Sequence, residues 1–208
     1  MCNQTDVYPL KESNSDKNPF RQFSLWYNEA VQKCREQADA MVLATTDEEG
    51  KPSARVVLMK TFSEEGFIFY TNSLSRKGMQ ISFNPNVALL FYWPLLARQV
   101  RIEGQAGIIG GKESDEYFIS RPRGSRISAL ISPQSEVIPG REYLEKRYKA
   151  TEAGFKGRKI SRPEFWNGYL VIPECFEFWQ GRENRLHDRL IYTYDDINTG
   201  WVLKRLAP

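Results

Sequence analysis

The chain has 208 residues, which favours one domain, and its 29 lysines and arginines against 26 aspartates and glutamates give a net charge of only +3. This small excess lies in short clusters and argues against a nucleic-acid-binding protein. The three cysteines are widely spaced, which argues against disulfides and a structural metal. The polar start argues against a secretory signal, and the lack of any apolar run of about 18 residues argues against a membrane span. We therefore expect a cytoplasmic protein.

The first predicted elements are an arm and a helix. Residues 1–17 are mostly polar and predict a flexible N-terminal arm. Asn18-Pro19 is typical of a helix start, because Asn caps helices and Pro is favoured at the first helical position. Apolar residues then recur at helical spacing from 20 to 34, which predicts an amphipathic helix of about four turns.

From residue 40 the pattern changes to short runs of β-branched and aromatic residues. These runs predict strands, and the Gly-containing segments 47–50 and 63–66 predict hairpin turns. Residues 75–83 predict a short helix that ends before Asn84-Pro85. The predicted strands are 41–45, 54–60, 67–71, 87–92 and 100–109.

The second half of the chain predicts three helices followed by four strands. Because strands and helices do not alternate regularly, and no Gly-rich dinucleotide fingerprint follows a strand, we do not expect a Rossmann domain. Residues 18–208 are instead expected to form one α+β domain, an antiparallel barrel with peripheral helices. The helices are expected at 113–120, 125–131 and 141–150, a basic loop at 151–163, strands at 169–172, 175–180, 190–194 and 201–206, and a hairpin loop at 195–200.

The only histidine, His187, lies between two arginines near the start of a predicted strand. If this stretch is extended, Arg185, His187 and Arg189 point to one side in steps of about 6.6 Å, and Leu186 faces the core. Such a row is either a solvated strand end or part of a site that holds something anionic or polar.

Two cations flank the apolar strand 55–60. Arg55 and Lys60 are five residues apart, so strict alternation places them on opposite faces. One ligand meets both only at a twisted strand end or at a subunit interface. The alternative is a surface strand with ordinary flanking charges.

Two further clusters predict phosphate sites. Arg76 and Lys77 follow Ser75 in the first turn of a helix, where a cation costs up to about 1 kcal/mol unless an anion offsets it. Tyr117 and Arg121 are helical neighbours before a break at Pro122, and nearby Arg123 and Ser125 could also contact a phosphate. An ordinary loop held by salt bridges remains an alternative interpretation of this second cluster. Two anion pockets require two phosphorylated ligands or one large one.

These segments resemble, in the same order, the motifs of the pyridoxine (pyridoxamine) 5'-phosphate oxidase family. The resemblance runs from about residue 18 to the end of the chain. It rests on Arg55-Val56-Val57-Leu58-Met59-Lys60, Tyr70-Thr71-Asn72, Ser75-Arg76-Lys77, Arg98-Gln99-Val100-Arg101, Tyr117-Phe118, Ser120-Arg121-Pro122, Gln134-Ser135, Phe178-Trp179-Gln180-Gly181, Arg185-Leu186-His187-Asp188-Arg189 and Arg205-Leu206-Ala207-Pro208.

The resemblance implies a split β-barrel that works as a homodimer with flavin mononucleotide (FMN) at the subunit interface. It implies oxidation of pyridoxine 5'-phosphate or pyridoxamine 5'-phosphate to pyridoxal 5'-phosphate, with O2 as electron acceptor and H2O2 as product. Arg185 and His187 are expected to be catalytic and to lie against the substrate ring. The flavin is expected to contact Arg55, Val56, Val57, Leu58, Met59, Lys60, Tyr70, Thr71, Arg76, Lys77, Gln99, Gln134, Ser135, Trp179 and Arg189. The substrate phosphate is expected to contact Lys60, Tyr117, Arg121 and Ser125.

The chain departs from the family pattern in two places. It has Ser125-Arg126-Ile127-Ser128 where members usually carry Ser-Gln-Ile-Gly or Ser-Lys-Ile-Gly, and its arm lacks the Arg-Arg-x-Tyr element of some members. Two alternative functions remain open: a non-catalytic barrel that binds FMN or pyridoxal phosphate, and a flavin reductase that uses a nicotinamide donor.

Overall fold

A computed structural model of the protein describes residues 9–34, 37–195 and 200–208. The helices in these ranges are Pro19–Cys34 (α1), Arg76–Phe83 (α2), Gly111–Ser120 (α3), Arg123–Ile131 (α4) and Arg141–Gly154 (α5). The strands are Ala40–Thr46 (β1), Pro52–Leu58 (β2), Thr61–Ser63 (β3), Gly66–Asn72 (β4), Asn86–Trp93 (β5), Arg98–Ile108 (β6), Trp166–Gln180 (β7), Asp188–Asp195 (β8) and Gly200–Leu206 (β9). No helix within the described ranges combines the length and the hydrophobicity that a bilayer span requires.

All these strands belong to one antiparallel sheet that curls into a half-barrel, which confirms the predicted α+β split-barrel class. The strand order is β2-β1-β5-β6-β7-β4-β3, and β8 and β9 extend the sheet from β7. The long strand β7 connects the two parts. One of its edges pairs with β6, while the other pairs first with β4 and then with β8. Its two ends therefore belong to different regions of the molecule.

Helix α1 forms where the sequence predicts it and closes the main core. The side-chain oxygen of Asn18 accepts a hydrogen bond from the Phe20 N–H at 2.9 Å, as expected of a helix cap. Phe23 is fully buried, and its ring makes edge contacts with Phe67 at 4.9 Å and Phe91 at 5.0 Å between centroids. A second, smaller core lies under α3 and α4 around Phe118, Ile127 and Trp166.

The structure differs from the sequence-based elements in three ways. Strand β7 is continuous where two strands were expected, because the β6–β7 register shifts between Glu103 and Gly104 and so accommodates Pro173. Strand β3 was not expected. Helix α5 runs to Gly154 and shortens the predicted loop 151–163.

Residues 9–17, part of the predicted arm, lie against β8 and β9. Leu10 is buried, and its N–H donates to Asp188 at 3.3 Å. Arg205 pairs with the Glu12 carboxylate at 2.8 Å, and the Tyr192 hydroxyl donates to the Asp16 carbonyl at 2.7 Å. This part of the arm is therefore docked on the sheet. The expectation of flexibility stays a prediction for residues 1–8, which lie outside the described residues, as does most of the hairpin loop 195–200.

Candidate active site

A cavity of about 450 Å³ lies between strands β2 and β4 and helices α2, α3 and α4. It brings together residues from three of the sequence clusters described above. Its predicted lining residues are Arg55, Val56, Val57, Leu58, Lys60, Tyr70, Thr71, Lys77, Tyr117, Arg121 and Gln134. Asn72, Ser128, Ala129, Ser132 and Trp166 also line it.

The chain path explains how Arg55 and Lys60 reach one cavity although they are five residues apart. Strand β2 ends at Leu58, and Met59 turns into the core, where its side chain is 3% exposed. The next N–H, from Lys60, donates to the Ile68 carbonyl of β4 at 2.8 Å. The chain thus passes from β1 to β4 between these residues, and strand alternation no longer applies. Arg55 and Lys60 therefore reach the same cavity at the end of a strand, which is one of the two arrangements considered above.

Arg55 and Lys77 form a cationic group at one side of the cavity. Arg55 donates to the Leu43 carbonyl at 3.0 Å, and Lys77 donates to the Gln134 side-chain oxygen at 3.1 Å. Burial lowers the pKa of Arg55, and the nearby Arg76 charge adds to this effect. Burial and the Arg55 charge likewise lower the pKa of Lys77. Within the described residues the hydrogen-bond partners of both side chains are neutral oxygens and not carboxylates, so an anion would be stabilised here.

Arg121 provides a second cationic position on the same cavity. Its guanidinium lies 4.6 Å from the centre of the Trp166 ring, and its buried Nη1 has no hydrogen-bond partner in the described part of the chain. A buried, unpaired donor is unfavourable unless a ligand completes it. The residues present therefore fit an anionic group such as a phosphate.

Three stacked rings form the aromatic wall of the cavity. Tyr70 stacks on Tyr117 with 4.0 Å between ring centroids and on Trp166 with 5.2 Å. Burial raises the pKa of both tyrosines, so each keeps its phenolic proton as a hydrogen-bond donor at neutral pH. The cavity thus combines an aromatic surface with donors for anions.

A second group of predicted residues lies together at the far end of β7. Trp179 pairs in register with Gln99 on one side and with Arg189 on the other. The His187 ring lies 4.7 Å from the Trp179 ring, measured between centroids. None of these residues lines the cavity. Trp166, which does line it, is 13 residues away from Trp179 along β7, a path of roughly 43 Å at 3.3 Å per residue.

The expectation that Arg185, His187 and Arg189 share one extended face is wrong. Strand β8 begins only at Asp188, and Arg185 lies in a short turn in which φ is 55° at Asn184 and 61° at Arg185. These left-handed conformations interrupt the alternation of side chains. Leu186, expected in the core, is 70% exposed.

The turn gives His187 a defined orientation. Its Nδ1 accepts a hydrogen bond from the Arg182 backbone N–H at 3.1 Å. A neutral imidazole in this arrangement carries its proton on Nε2, which is then a donor. In this arrangement the Nδ1 lone pair is engaged, and Nε2 is directed to donate a hydrogen bond.

Four other predicted site residues lie outside the cavity lining. Arg76 is exposed in the first turn of α2, Ser125 is half-buried in the first turn of α4, and Ser135 is exposed with φ 76°. The Met59 side chain belongs to the main core. A direct ligand contact for these four stays a prediction.

The sequence reasoning missed five lining residues. Ser128 on α4 and Ser132, which caps the C-terminus of that helix, are one helical turn apart, a spacing that could have been recognised in the sequence. Trp166 was missed because the strand was expected to begin only at Tyr169. Asn72 and Ala129 carried no separate signal. No group of three or more His, Cys, Asp or Glu side chains in the described ranges is arranged to hold a metal.

Comparison with known proteins decides the family. A sequence model described as "Pyridoxamine 5'-phosphate oxidase" matches residues 27–153, and one described as "Pyridoxine 5'-phosphate oxidase C-terminal dimerisation region" matches residues 166–208. The chain belongs to the pyridoxamine 5'-phosphate oxidase family. This confirms the resemblance drawn from the sequence motifs.

One relative is a pyridoxine/pyridoxamine 5'-phosphate oxidase of Rubrobacter xylanophilus, which is 53% identical to this chain over 199 residues. That match covers 96% of this chain and 91% of the relative. A Burkholderia mallei protein of the same name is 51% identical, with 96% and 93% covered.

Two solved structures of relatives share the fold. PhzG from Burkholderia lata 383, solved in complex with tetrahydrophenazine-1-carboxylic acid, matches with a TM-score of 0.89 and 29% identity over 98% of both chains. A pyridoxamine 5'-phosphate oxidase-related, FMN binding protein of Nostoc punctiforme matches with a TM-score of 0.72 and 19% identity, over 92% of this chain and 98% of that protein. The second comparison supports the split-barrel fold alone.

Proposed function

We propose that the protein is an FMN-dependent oxidase that converts pyridoxine 5'-phosphate or pyridoxamine 5'-phosphate to pyridoxal 5'-phosphate. One observation carries the proposal: a single cavity is lined by two cationic positions, Arg55 with Lys77 and Arg121, and by an aromatic wall of stacked rings. Two phosphorylated molecules with aromatic rings match this arrangement. The relatives named pyridoxine/pyridoxamine 5'-phosphate oxidase support the choice of substrate.

The FMN phosphate is assigned to Arg55 and Lys77, with Arg76 completing the group at the start of α2. The peptide N–H groups of a helix N-terminus and the cationic side chains favour the same negative charge there. Thr71 and Gln134, which both hydrogen-bond in this region, orient Lys77.

The substrate phosphate is assigned to Arg121 and Lys60, with Tyr117 and Ser125 as neutral donors. Arg121 supplies the unpaired Nη1, and Tyr117 supplies a protonated phenol. Clamping the phosphate fixes the substrate ring against the flavin, and such orientation supplies up to about 7–11 kcal/mol in ideal cases. FMN, when bound, would supply the redox chemistry, taking two electrons from the C4' position and passing them to O2 as H2O2, with water consumed and ammonia released when the substrate is the amine.

The proposed enzyme is a homodimer in which the far end of β7 from one subunit completes the cavity of the other. Gln99, Trp179 and Arg189 would then contact the flavin, and Arg185 and His187 would meet the substrate ring. The match of residues 166–208 to a dimerisation region supports this arrangement. A second chain also explains why two groups of site residues lie at opposite ends of one strand.

The direct test is oxygen uptake by flavin-loaded protein given pyridoxine 5'-phosphate or pyridoxamine 5'-phosphate. We expect O2 consumption, H2O2 release and formation of an aldehyde with either substrate. Loaded protein that consumes no oxygen with both would support the non-catalytic alternative. Anaerobic bleaching of the flavin by NADH or NADPH would support a reductase.

The related PhzG structure defines a competing substrate class, because its ligand is a tricyclic carboxylic acid without a phosphate. The same oxygen-uptake assay with tetrahydrophenazine-1-carboxylic acid separates the two classes. Faster turnover of this acid than of both B6 phosphates would contradict the proposed substrate.

A further inference from the structure

Gln80 of α2 is a buried side chain behind Arg55 that does not line the cavity. It is 5% exposed, and its Oε1 accepts hydrogen bonds from Thr45 Oγ1 at 2.6 Å and Ser53 Oγ at 2.8 Å. Arg55 Nη2 also donates to it at 3.4 Å. Gln80 therefore lies at the centre of a polar network that ends at Arg55.

The direction of each hydrogen bond in this network follows from the chemistry of the guanidinium, which can only donate. Arg55 donates to Thr45 Oγ1 at 2.6 Å and to Ser53 Oγ at 2.7 Å. Both hydroxyls are thus acceptors toward Arg55 and must direct their own protons to another acceptor. The side-chain oxygen of Gln80 is that acceptor, which fixes the orientation of its amide.

This orientation leaves the amide nitrogen of Gln80 buried without a hydrogen-bond partner in the described part of the chain. A glutamate at this position would have almost the same shape, accept the same three hydrogen bonds and bury no unpaired N–H. It would, however, place a carboxylate against Arg55 and neutralise the charge that faces the cavity. The neutral acceptor holds Arg55 in place and leaves its charge available.

We propose that Gln80 is a positioning residue that orients Arg55 through Thr45 and Ser53 and keeps its positive charge free for the phosphate of the bound nucleotide. This inference rests on the proposed function, because it assigns the phosphate of FMN to Arg55. Arg55 contacts the ligand; Gln80 acts only through Arg55.

The test compares FMN with riboflavin, which has the same ring system but no phosphate. Dissociation constants are measured by fluorescence titration of flavin-free protein. For Gln80→Glu we expect FMN to bind about tenfold to a hundredfold more weakly, because a carboxylate next to Arg55 offsets the cation. Riboflavin affinity should stay within about twofold, since no phosphate is involved. The ratio of the FMN and riboflavin dissociation constants is therefore the quantity to compare between variants. Damage to the fold would weaken the binding of both flavins and would leave this ratio unchanged.

Asn84→Asp is the matched control. Asn84 follows the same helix, hydrogen-bonds to Thr46 at 2.9 Å and has no contact with Arg55 among the described hydrogen bonds. The substitution changes the net charge by the same amount. We expect it to leave the ratio of FMN to riboflavin affinity at the wild-type value. Gln80→Met, which removes the acceptor and adds no charge, should weaken FMN binding less than Gln80→Glu does.

Two results would overturn the role of Gln80. One is a wild-type ratio of affinities in Gln80→Glu, and the other is an equal loss of FMN and riboflavin binding. Inorganic phosphate binding to the same variants, measured by calorimetry, makes the test independent of the flavin. Wild-type protein that binds phosphate but no flavin would contradict the proposed function, while the loss of phosphate affinity in Gln80→Glu would still support the positioning role. Wild-type protein that binds neither would contradict both.

Discussion

Arg121 and Arg123 are two arginines, two residues apart, in contrasting environments. Arg121 lines the cavity with an unpaired Nη1, whereas Arg123 lies outside it and donates to the Arg158 carbonyl at 3.1 Å. The first has a donor available for a ligand, and the second is engaged in holding the loop after α5. Substitution of Arg121 can therefore be compared with the same substitution of Arg123 as a matched control.

We expect Arg121→Met to raise KM for pyridoxine 5'-phosphate about tenfold to a hundredfold, since a hydrogen bond to a charged group contributes about 1.5–3 kcal/mol. The methionine keeps an apolar stem on Trp166, so flavin content should not change. Arg123→Met should leave KM within about twofold while lowering thermal stability. Steady-state kinetics measure both, and an unchanged KM in Arg121→Met would contradict the assignment of the substrate phosphate.

His187 donates from Nε2 if its Nδ1 accepts from the Arg182 backbone, as the 3.1 Å contact indicates. We therefore expect His187→Ala to lower kcat about tenfold or more, because the reacting group loses one hydrogen bond. The variant should retain its flavin. Stopped-flow reduction of the flavin under anaerobic conditions measures the affected step. If the variant reduces its flavin at the wild-type rate, His187 has no role at the substrate.

Single residues show how far sequence reasoning reaches. The sequence patterns marked Arg55, Lys77 and Arg121 as candidate anion-site cations, and the structure brings all three to one cavity, while their contact with an anion stays a prediction. The common location of Arg55 and Lys60 could not be derived, because strand alternation holds only until β2 ends. The turn at Arg185 was missed because nothing in the local spacing signals left-handed backbone at two non-glycine residues.

At the scale of elements, one of the contacts that hold the N-terminal segment 9–17 to the sheet is the ion pair between Glu12 and Arg205. The hydrogen bond from Arg205 lowers the pKa of Glu12 from an ordinary value of 4.5 to about 2. Because the pKa is lower in the docked state, this contribution is complete above pH 4.5 and is lost as the pH falls toward 2. The Glu12 contribution to docking of the segment should therefore be lost in acid, while the contacts of Leu10 and Asp16 remain.

We expect Glu12→Gln to reduce amide hydrogen-exchange protection of residues 9–17 at neutral pH, with the difference from wild type shrinking below pH 4.5 and vanishing near pH 2. Hydrogen exchange read by mass spectrometry measures this difference in protection. A difference that stays constant across the range would show that the Glu12 charge does not hold the segment.

Phe23 is the most deeply buried aromatic residue of helix α1. Its ring is fully buried among Phe67, Phe91 and neighbouring aromatic residues. We expect Phe23→Ala to lower the free energy of unfolding by about 3–5 kcal/mol, and Gln32→Ala, on the exposed face of the same helix, to change it by less than about 0.5 kcal/mol. Urea denaturation at a fixed protein concentration measures both. Similar values for the two variants would contradict the packing of α1 onto the barrel.

The helices and strands could be predicted from the sequence where their apolar residues recur at regular spacing. Helix α1 and most strands follow their expected periods. Strand β7 was divided in the sequence analysis because Pro173 normally ends a paired strand, and only the irregular register with β6 shows how the sheet accommodates it. Strand β3 is three residues long, too short to produce a pattern.

At the scale of the whole molecule, the candidate site residues form two groups that lie apart in a single chain. The cavity lies at one end of β7, and Trp179 with His187 lies near the other. In a symmetric dimer, each complete site would take the cavity from one subunit and the His187 region from its partner. Spacing along one sequence cannot give such an arrangement, because the distances that define it would cross between two chains.

Mixing two impaired variants, assayed at a substrate concentration well below the KM of Arg121→Met, tests this claim most directly. Arg121→Met damages the cavity and His187→Ala damages the other group, so each homodimer has two damaged sites. If sites are shared between subunits, a mixed dimer has one site with both changes and one with neither, and random reassociation should restore about a quarter of wild-type activity. Exchange by dilution and reconcentration, followed by the oxygen-uptake assay, gives the result. Activity that stays at the level of the separate variants, although mass spectrometry detects mixed dimers, would contradict a site built from two chains.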